Sequence, residues 1–188
     1  LEKERTMKRF NEFLIETPSV NIMTDSERHI PQIENGAKSI GQLSSGHKIV
    51  TTSSGSEHNF WAVKDGSQSL HLQTHYSRDT DNHTIMAVAK RKSEKSYKAV
   101  DVYKHLLKRG YSLVGVDHSE GAKEIWRSLS TDKDINLSMV SSHDHSYIGP
   151  LPKNFDDVYK PGMSHVALRA TWNGKIKNKP VPKEPERF

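Results

Sequence analysis

Three groups of residues in the chain have the types and spacing to do chemistry. Asp117 and His118 stand together directly after a β-branched run, residues 111–116, where the end of a strand would present a carboxylate and an imidazole able to accept a proton. Asp117 is the better base of the two, and Glu57 and His75 are the groups able to approach it from upstream strands. The alternative is that Asp117 is a turn residue and Ser119 a helix cap, with His118 exposed to solvent. His143, Asp144 and His145 are the densest cluster among the 11 histidines. Two histidines at i and i+2 in a strand point the same way, but a metal needs a third and usually a fourth ligand, and His165 is the nearest in sequence. These are read as loop histidines, and no metal is expected. The third group lies in residues 90–109, which hold eight Lys or Arg against Glu94 and Asp101. Lys92, Ser93, Lys95 and Ser96 offer charge, hydroxyl and backbone donors to a phosphate-bearing ligand, the alternative being a solvated helix face.

Positioning these groups takes a helix, a strand and a second helix. Tyr97, Val100, Val102, Tyr103, Leu106 and Leu107 recur at three-and-four spacing, and Gly110 stops the pattern. The strand 111–116 follows, Ser119 caps, and Ala122, Ile125, Trp126 and Leu129 fall on one helical face. Upstream, residues 49–53, 59–64, 70–76 and 84–89 read as four strands. Asp65-Gly66 marks a hairpin and the polar run 77–82 a second turn, so that the last three form an antiparallel meander. Leu70, Leu72 and Thr74 alternate with Ser69, His71, Gln73 and His75, which predicts one buried and one wet face. A helical crossover then sets the strand 111–116 parallel to a meander strand. Residues 135–140 and 165–172 supply two more strands, and 141–162 reads as loop.

The predicted fold class is therefore α/β (α+β), a mixed and mostly antiparallel sheet with flanking helices. Four segments follow from it: an amphipathic helix or leader over 1–16, a loop-rich stretch over 17–47 with one helical turn near 33–40, the folded domain over 48–172, and a basic proline-rich tail over 173–188. The 33% hydrophobic content and mean hydropathy of -0.77 agree with a sizeable share of loop and tail. Cysteine is absent, which excludes a disulfide framework, a thiolate nucleophile and a cysteine zinc site. Ser53-Ser54-Gly55-Ser56 lacks the strand-turn-helix context of a nucleophilic serine. No apolar run approaches the roughly 20 residues that span a bilayer, and no signal-peptide core is evident, so no membrane partner is expected. Oligomeric state is not readable.

The order of these elements resembles the GNAT family of acyl-CoA N-acyltransferases, over about residues 49–172. That family carries Asn-x-x-Ala-x-x-x-Tyr on the helix after the crossover strand, and Ser119, Ala122 and Trp126 stand at those spacings. The resemblance implies transfer of an acetyl or other acyl group from acyl-CoA to an amine. Ala87, Val88 and Ala89 would then offer backbone hydrogen bonds to pantetheine, and Lys92, Ser93, Lys95 and Ser96, with Ser119, would meet the rest of the cofactor. It also implies Asp117 and His118 as the acid–base residues. Two departures stand out: the loop KRKSEKSYKA has none of the family's glycines, and Trp126 replaces a tyrosine that can protonate a leaving thiolate.

The stretch MKRFNEFLIE resembles the capsid-targeting leader of T-even-type phage head proteins, which is cut after Leu-x-Glu or Ile-x-Glu, matched here by Leu14-Ile15-Glu16. A plain docking helix is the alternative, and if Met7 is the start, Leu1 to Thr6 are an upstream remnant. This resemblance implies a bacteriophage source, in the virion or the host cytoplasm. The competing expectation is thus a non-catalytic structural or ejected internal head protein, with DNA or capsid as partner through the basic segment and Lys175, Lys177, Lys179 and Lys183 of the tail.

Overall fold

The computed structural model describes residues 30–33, 35–116 and 118–174. The expected N-terminal helix or leader, the tail beyond Gly174 and Asp117 lie outside them. Nine strands form one sheet: β1 (Lys38–Gln42), β2 (Lys48–Ser54), β3 (Glu57–Lys64), β4 (Ser67–Ser77), β5 (Asn82–Lys90), β6 (Leu113–Gly115), β7 (Ile135–Ser141), β8 (Tyr147–Pro150) and β9 (Val166–Trp172). Their order is β1-β2-β3-β4-β5-β6-β9-β7-β8, antiparallel throughout except for the parallel pair β5–β6. Two α-helices, α1 (Ala99–Lys108) and α2 (Glu120–Ser130), and a 3-10 helix, Phe155–Tyr159, complete the described residues.

Local chemistry accounts for the element ends. Asp65 (φ 51) and Gly66 (φ 75) both take the left-handed region that a tight hairpin needs between β3 and β4. Helix α1 opens with the Asp101 carboxylate accepting the Lys98 N–H at 2.7 Å. It closes where Gly110, at φ 90, lets its own N–H and that of Tyr111 fold back onto the carbonyls of Leu107 and Leu106. Ser119 caps α2 as expected, its hydroxyl accepting the Ala122 N–H at 3.3 Å.

The core lies between the helices and one sheet face. Phe60, Leu70, Leu72 and Val88 of the meander meet Val102, Tyr103, Leu106 and Leu107 of α1, and Trp126 and Leu129 of α2 close over Leu113, Leu168 and Ala170. Each large side chain wholly buried there contributes about 1.5–3 kcal/mol. Tyr97 and Tyr103 are both buried, so neither is a stacking platform for nucleic acid.

Three expectations need correction. The helical turn near 33–40 is replaced by β1, whose bulge at Gly41 (φ 136) lets its backbone lie against the His105 ring of α1; a Cβ there would sit 2.6 Å from His105 Cε1. The loop 141–162 contains β8 and the 3-10 helix, both too short for periodicity to reveal. The outer face of β3 and β4 is not simply wet, because His71 is buried there, and Ser69, the extra residue of a bulge in β4, leaves the alternation to bond the core Tyr97 hydroxyl at 2.8 Å. Trp61 stacks on His71 at 5.1 Å and 28°, and its indole N–H donates to the Pro31 carbonyl at 3.1 Å, so the segment 30–33 lies against this face.

Candidate functional site

The middle of the sheet contains a notch. Strand β5 pairs with β6 at only two positions, His83 with Leu113 and Thr84 with Val114, and β6 ends at Gly115 while β5 runs on to Lys90. Among the described residues no strand pairs with β5 on that side beyond Thr84. A β-bulge marks the divergence: Gln73 opposes Ala87 and Thr74 opposes Ile85, leaving Met86 unpaired and 56% exposed although its strand is interior. The bulge also decides which peptide groups are available. The Arg91 N–H donates to Ser69 of β4 and the His83 N–H to Ser112, on the β6 side. Alternation from these two anchors turns the peptide group of Val88 into the notch and those of Ala87 and Ala89 toward β4, while the Ile85 N–H is taken up by the last β5–β6 pairing. Of the three residues expected to bond a ligand through backbone, only Val88 faces the opening, because one inserted residue reverses the alternation.

At the C-terminal end of β5, the loop to α1 carries the residues expected to meet phosphate. Lys92, Ser93, Lys95 and Ser96 are all exposed there. The Ser96 N–H and hydroxyl both donate to Glu94 Oε1, at 2.7 and 2.6 Å. Glu94 Oε2 meets His47 Nε2 at 3.0 Å, from the β1–β2 turn. These hydrogen bonds, the Ser96 hydroxyl foremost, hold the Glu94 carboxyl below its ordinary range. The Lys90 ammonium donates to the Glu94 carbonyl and lies 4.9 Å from the Tyr97 ring centre. A cavity of about 300 Å³ opens beside the loop, lined by His47, Lys64, Ser67, Ser69, Arg91 and Glu94 among others.

Beyond β6, His118 is not exposed as expected. Its ring stacks on Trp126 at 5.3 Å and 21°, and Nδ1 shares a hydrogen bond of 2.8 Å with the Tyr159 hydroxyl of the 3-10 helix. Nε2 turns toward the Gly115 backbone without reaching a hydrogen-bond partner. Burial, aided by Lys123, lowers the imidazole to about 4 despite the Gly115 backbone, so it is neutral at pH 7. Burial raises the Tyr159 phenol, which stays protonated. A phenol therefore stands in the corner where Trp126 cannot act as an acid. Ser119 spends its hydroxyl oxygen on the α2 cap.

On the sheet face opposite the helices, polar groups form a chain: Asn59 Nδ2 donates to Glu57 Oε1 at 2.9 Å and Asn59 Oδ1 meets His71 Nε2 at 2.9 Å. Hydrogen bonds from Asn59 and Gln73 lower the exposed Glu57 carboxyl, so it is ionised. Gln73 links this row to the bulge, since it opposes Asn59 on one side and Ala87 on the other. His75 is Glu57's cross-strand neighbour and is exposed. Sequence reasoning missed Asn59, His71, Met86, His47, Glu94 and Tyr159. The only advance signal was the crowding of histidine into strands, where alternation placed them on a wet face. His143, Asp144 and His165 are exposed, and no group of three metal-ligating side chains occurs among the described residues. Compared with known protein families, curated proteins and solved structures, the chain has no match.

Proposed function

We propose that the chain is an N-acyltransferase of GNAT-like fold that takes an acyl group from acyl-CoA and transfers it to an amine. The observation that carries this reading is the notch: a parallel strand pair that parts after two residues beside a bulge, leaving interior backbone that no described strand pairs. An extended amide-bearing chain such as pantetheine satisfies such an edge as a strand would. The central order β5-β6-β9-β7, with the last described strand inserted beside the crossover strand, also supports it.

In this reading the amine nitrogen attacks the thioester carbonyl carbon, a C–N bond forms and the C–S bond breaks. The amine proton passes to a base, for which Asp117, next after Val116, is the assignment and ionised Glu57 the alternative reached through Gln73. The departing thiolate takes a proton from a phenol, and Tyr159 is the phenol available in this corner. His118, half-buried and neutral, positions Tyr159. Calorimetric titration of the full chain with acetyl-CoA tests the reading: saturable heat at up to millimolar ligand is expected, and its absence, with no thermal shift, overturns it.

One observation favours a second reading, a non-catalytic phage head protein that keeps the fold: the Ser96 donors that would meet pyrophosphate already serve Glu94. DNA binding by residues 90–109 has less support than their charge implies. Lys104 pairs with Asp132 at 2.7 Å, Lys108 lies over Trp172 at 5.3 Å, and Lys90 holds the loop. Mass spectrometry of virions decides this reading, which requires the protein in particles and cleavage after Glu16. DNA retention that falls steeply with salt would reinstate the basic footprint.

A further inference from the structure

We infer that the β5–α1 loop is an anion site already filled by the chain's own Glu94 carboxylate, and that a phosphoryl group binds there by displacing it. The inference rests on the reading that this loop meets a phosphate-bearing ligand and names the residue that controls access.

Three donors converge on one carboxylate, the Ser96 N–H, the Ser96 hydroxyl and His47 Nε2, at 2.7, 2.6 and 3.0 Å. A backbone N–H, a hydroxyl and an imidazole gathered on one point are the donor set of a bound oxyanion. His47 is a fixed donor rather than a surface side chain that happens to reach. It is 1% exposed, Nδ1 meets Ser45 Oγ at 2.9 Å, and its ring packs on Tyr97 at 4.6 Å. Tyr97 is in turn tied to Ser69 through a 2.8 Å hydrogen bond between hydroxyls. With Nε2 donating to the Glu94 carboxylate, Nδ1 faces the Ser45 hydroxyl, which fixes the ring's orientation.

Around Glu94 the cavity wall carries two cations against one other acid, so an anion that displaces the carboxylate meets net positive charge. Glu94 forms part of the wall of the roughly 300 Å³ cavity that also presents Lys64 and Arg91 with the hydroxyls of Ser67 and Ser93. That volume lies at the lower end of small-ligand sites, about 300–1,000 Å³, and suits a phosphoryl or diphosphoryl group. Asp65, on the same wall, is the one other acid there. If the Glu94 side chain swings out, the three donors turn to the incoming anion while its own carboxylate goes to water. Because the carboxylate competes for the same donors, the native chain binds such an anion more weakly than a variant that lacks the charge. The site therefore discriminates in favour of doubly charged phosphoryl groups, whose stronger pull on the same donors offsets the loss of Glu94.

Calorimetric titration of the full chain with inorganic pyrophosphate and, separately, with CoA tests this at constant ionic strength. Glu94→Gln keeps the side-chain shape and a partner for His47, and Glu124→Gln, an exposed position on α2, removes the same charge elsewhere. Glu94→Gln is expected to lower the pyrophosphate Kd about tenfold or more, equivalent to about 1.4 kcal/mol, and Glu124→Gln to leave it within about twofold. Tighter pyrophosphate binding without CoA binding upholds the inference and removes the acyl-CoA reading. Equal CoA binding by the native chain and Glu94→Gln removes the inference and leaves that reading standing. Absence of pyrophosphate binding by both proteins overturns the inference. Should Glu94→Gln fail to fold, the His47 ring nitrogens of the native chain give the answer by NMR: pyrophosphate must shift the Nε2 resonance, and an unmoved resonance at saturation overturns the proposal.

Discussion

Acidification is expected to unsettle the fold first at His118. The imidazole lies between Trp126, Tyr159 and Gly115, and Lys123, 5.1 Å from the Tyr159 ring centre, adds repulsion to its charged form. Its pKa falls from 6.5 in the unfolded chain to about 4 in the fold. The unfolded chain thus binds the extra proton between those values. The stabilisation from keeping the ring neutral is full above pH 6.5 and is lost as pH falls toward 4. A shift of that size corresponds to about 3 kcal/mol in total, of which about 2 kcal/mol is gone by pH 5. That is a large part of a typical stability of about 5–15 kcal/mol. His58 and His105 are lowered by burial too and add to the same slope, so the native chain alone cannot isolate His118. Urea midpoints by tryptophan fluorescence at pH 7.5, 6, 5 and 4.5 for the native chain and His118→Gln, which cannot titrate, separate the contributions. The native chain should lose about 2 kcal/mol more than the variant between pH 7.5 and 5. Parallel losses, within about 0.5 kcal/mol, would show that His118 is not held neutral by burial and refute the reasoning.

Gly115→Ala tests the packing that puts His118 there. The added Cβ would stand 2.4 Å from His118 Nε2 and 2.6 Å from Trp126 Cζ2, both parts of confined rings, so overpacking costs about 1–3 kcal/mol against a gain of about 0.4–1 from unfolded-state entropy. Urea unfolding should report a net loss, and an unchanged midpoint would mean the rings move freely. Ser119→Ala removes the α2 cap and is expected to lower stability by about 0.5–2 kcal/mol in the same measurement, while leaving any acetyl-CoA affinity unchanged if capping is its whole role. Val88→Pro removes the N–H that the bulge leaves facing the notch without touching the ladder to β4, so acetyl-CoA heat seen for the native chain should vanish from a variant that keeps its far-ultraviolet circular dichroism. Persistent heat would place the ligand elsewhere.

The amino-acid sequence by itself determined the elements whose causes are local. The spacing of Val102, Leu106 and Leu107 made α1, Gly110 ended it, Asp65-Gly66 turned the β3–β4 hairpin, and Ser119 started α2. The parallel setting of β6 beside β5 followed from the absence of a hairpin between them. What decided the candidate site was non-local. The bulge at Met86 exists only as a mismatch between two strands, and nothing in the wording IMAVA marks which residue is left unpaired. His118 became a half-buried partner of Tyr159 because a 3-10 helix forty-one positions later packs over α2, a contact without sequence periodicity. Glu94 filled the loop because the β1–β2 turn delivered His47 to it from 47 positions away. Hydrophobic spacing and turn chemistry act within a few residues and are legible in order along the chain. The donors and acceptors of a site are gathered by packing, and which of them remain for a ligand depends on neighbours that the chain supplies from a distance.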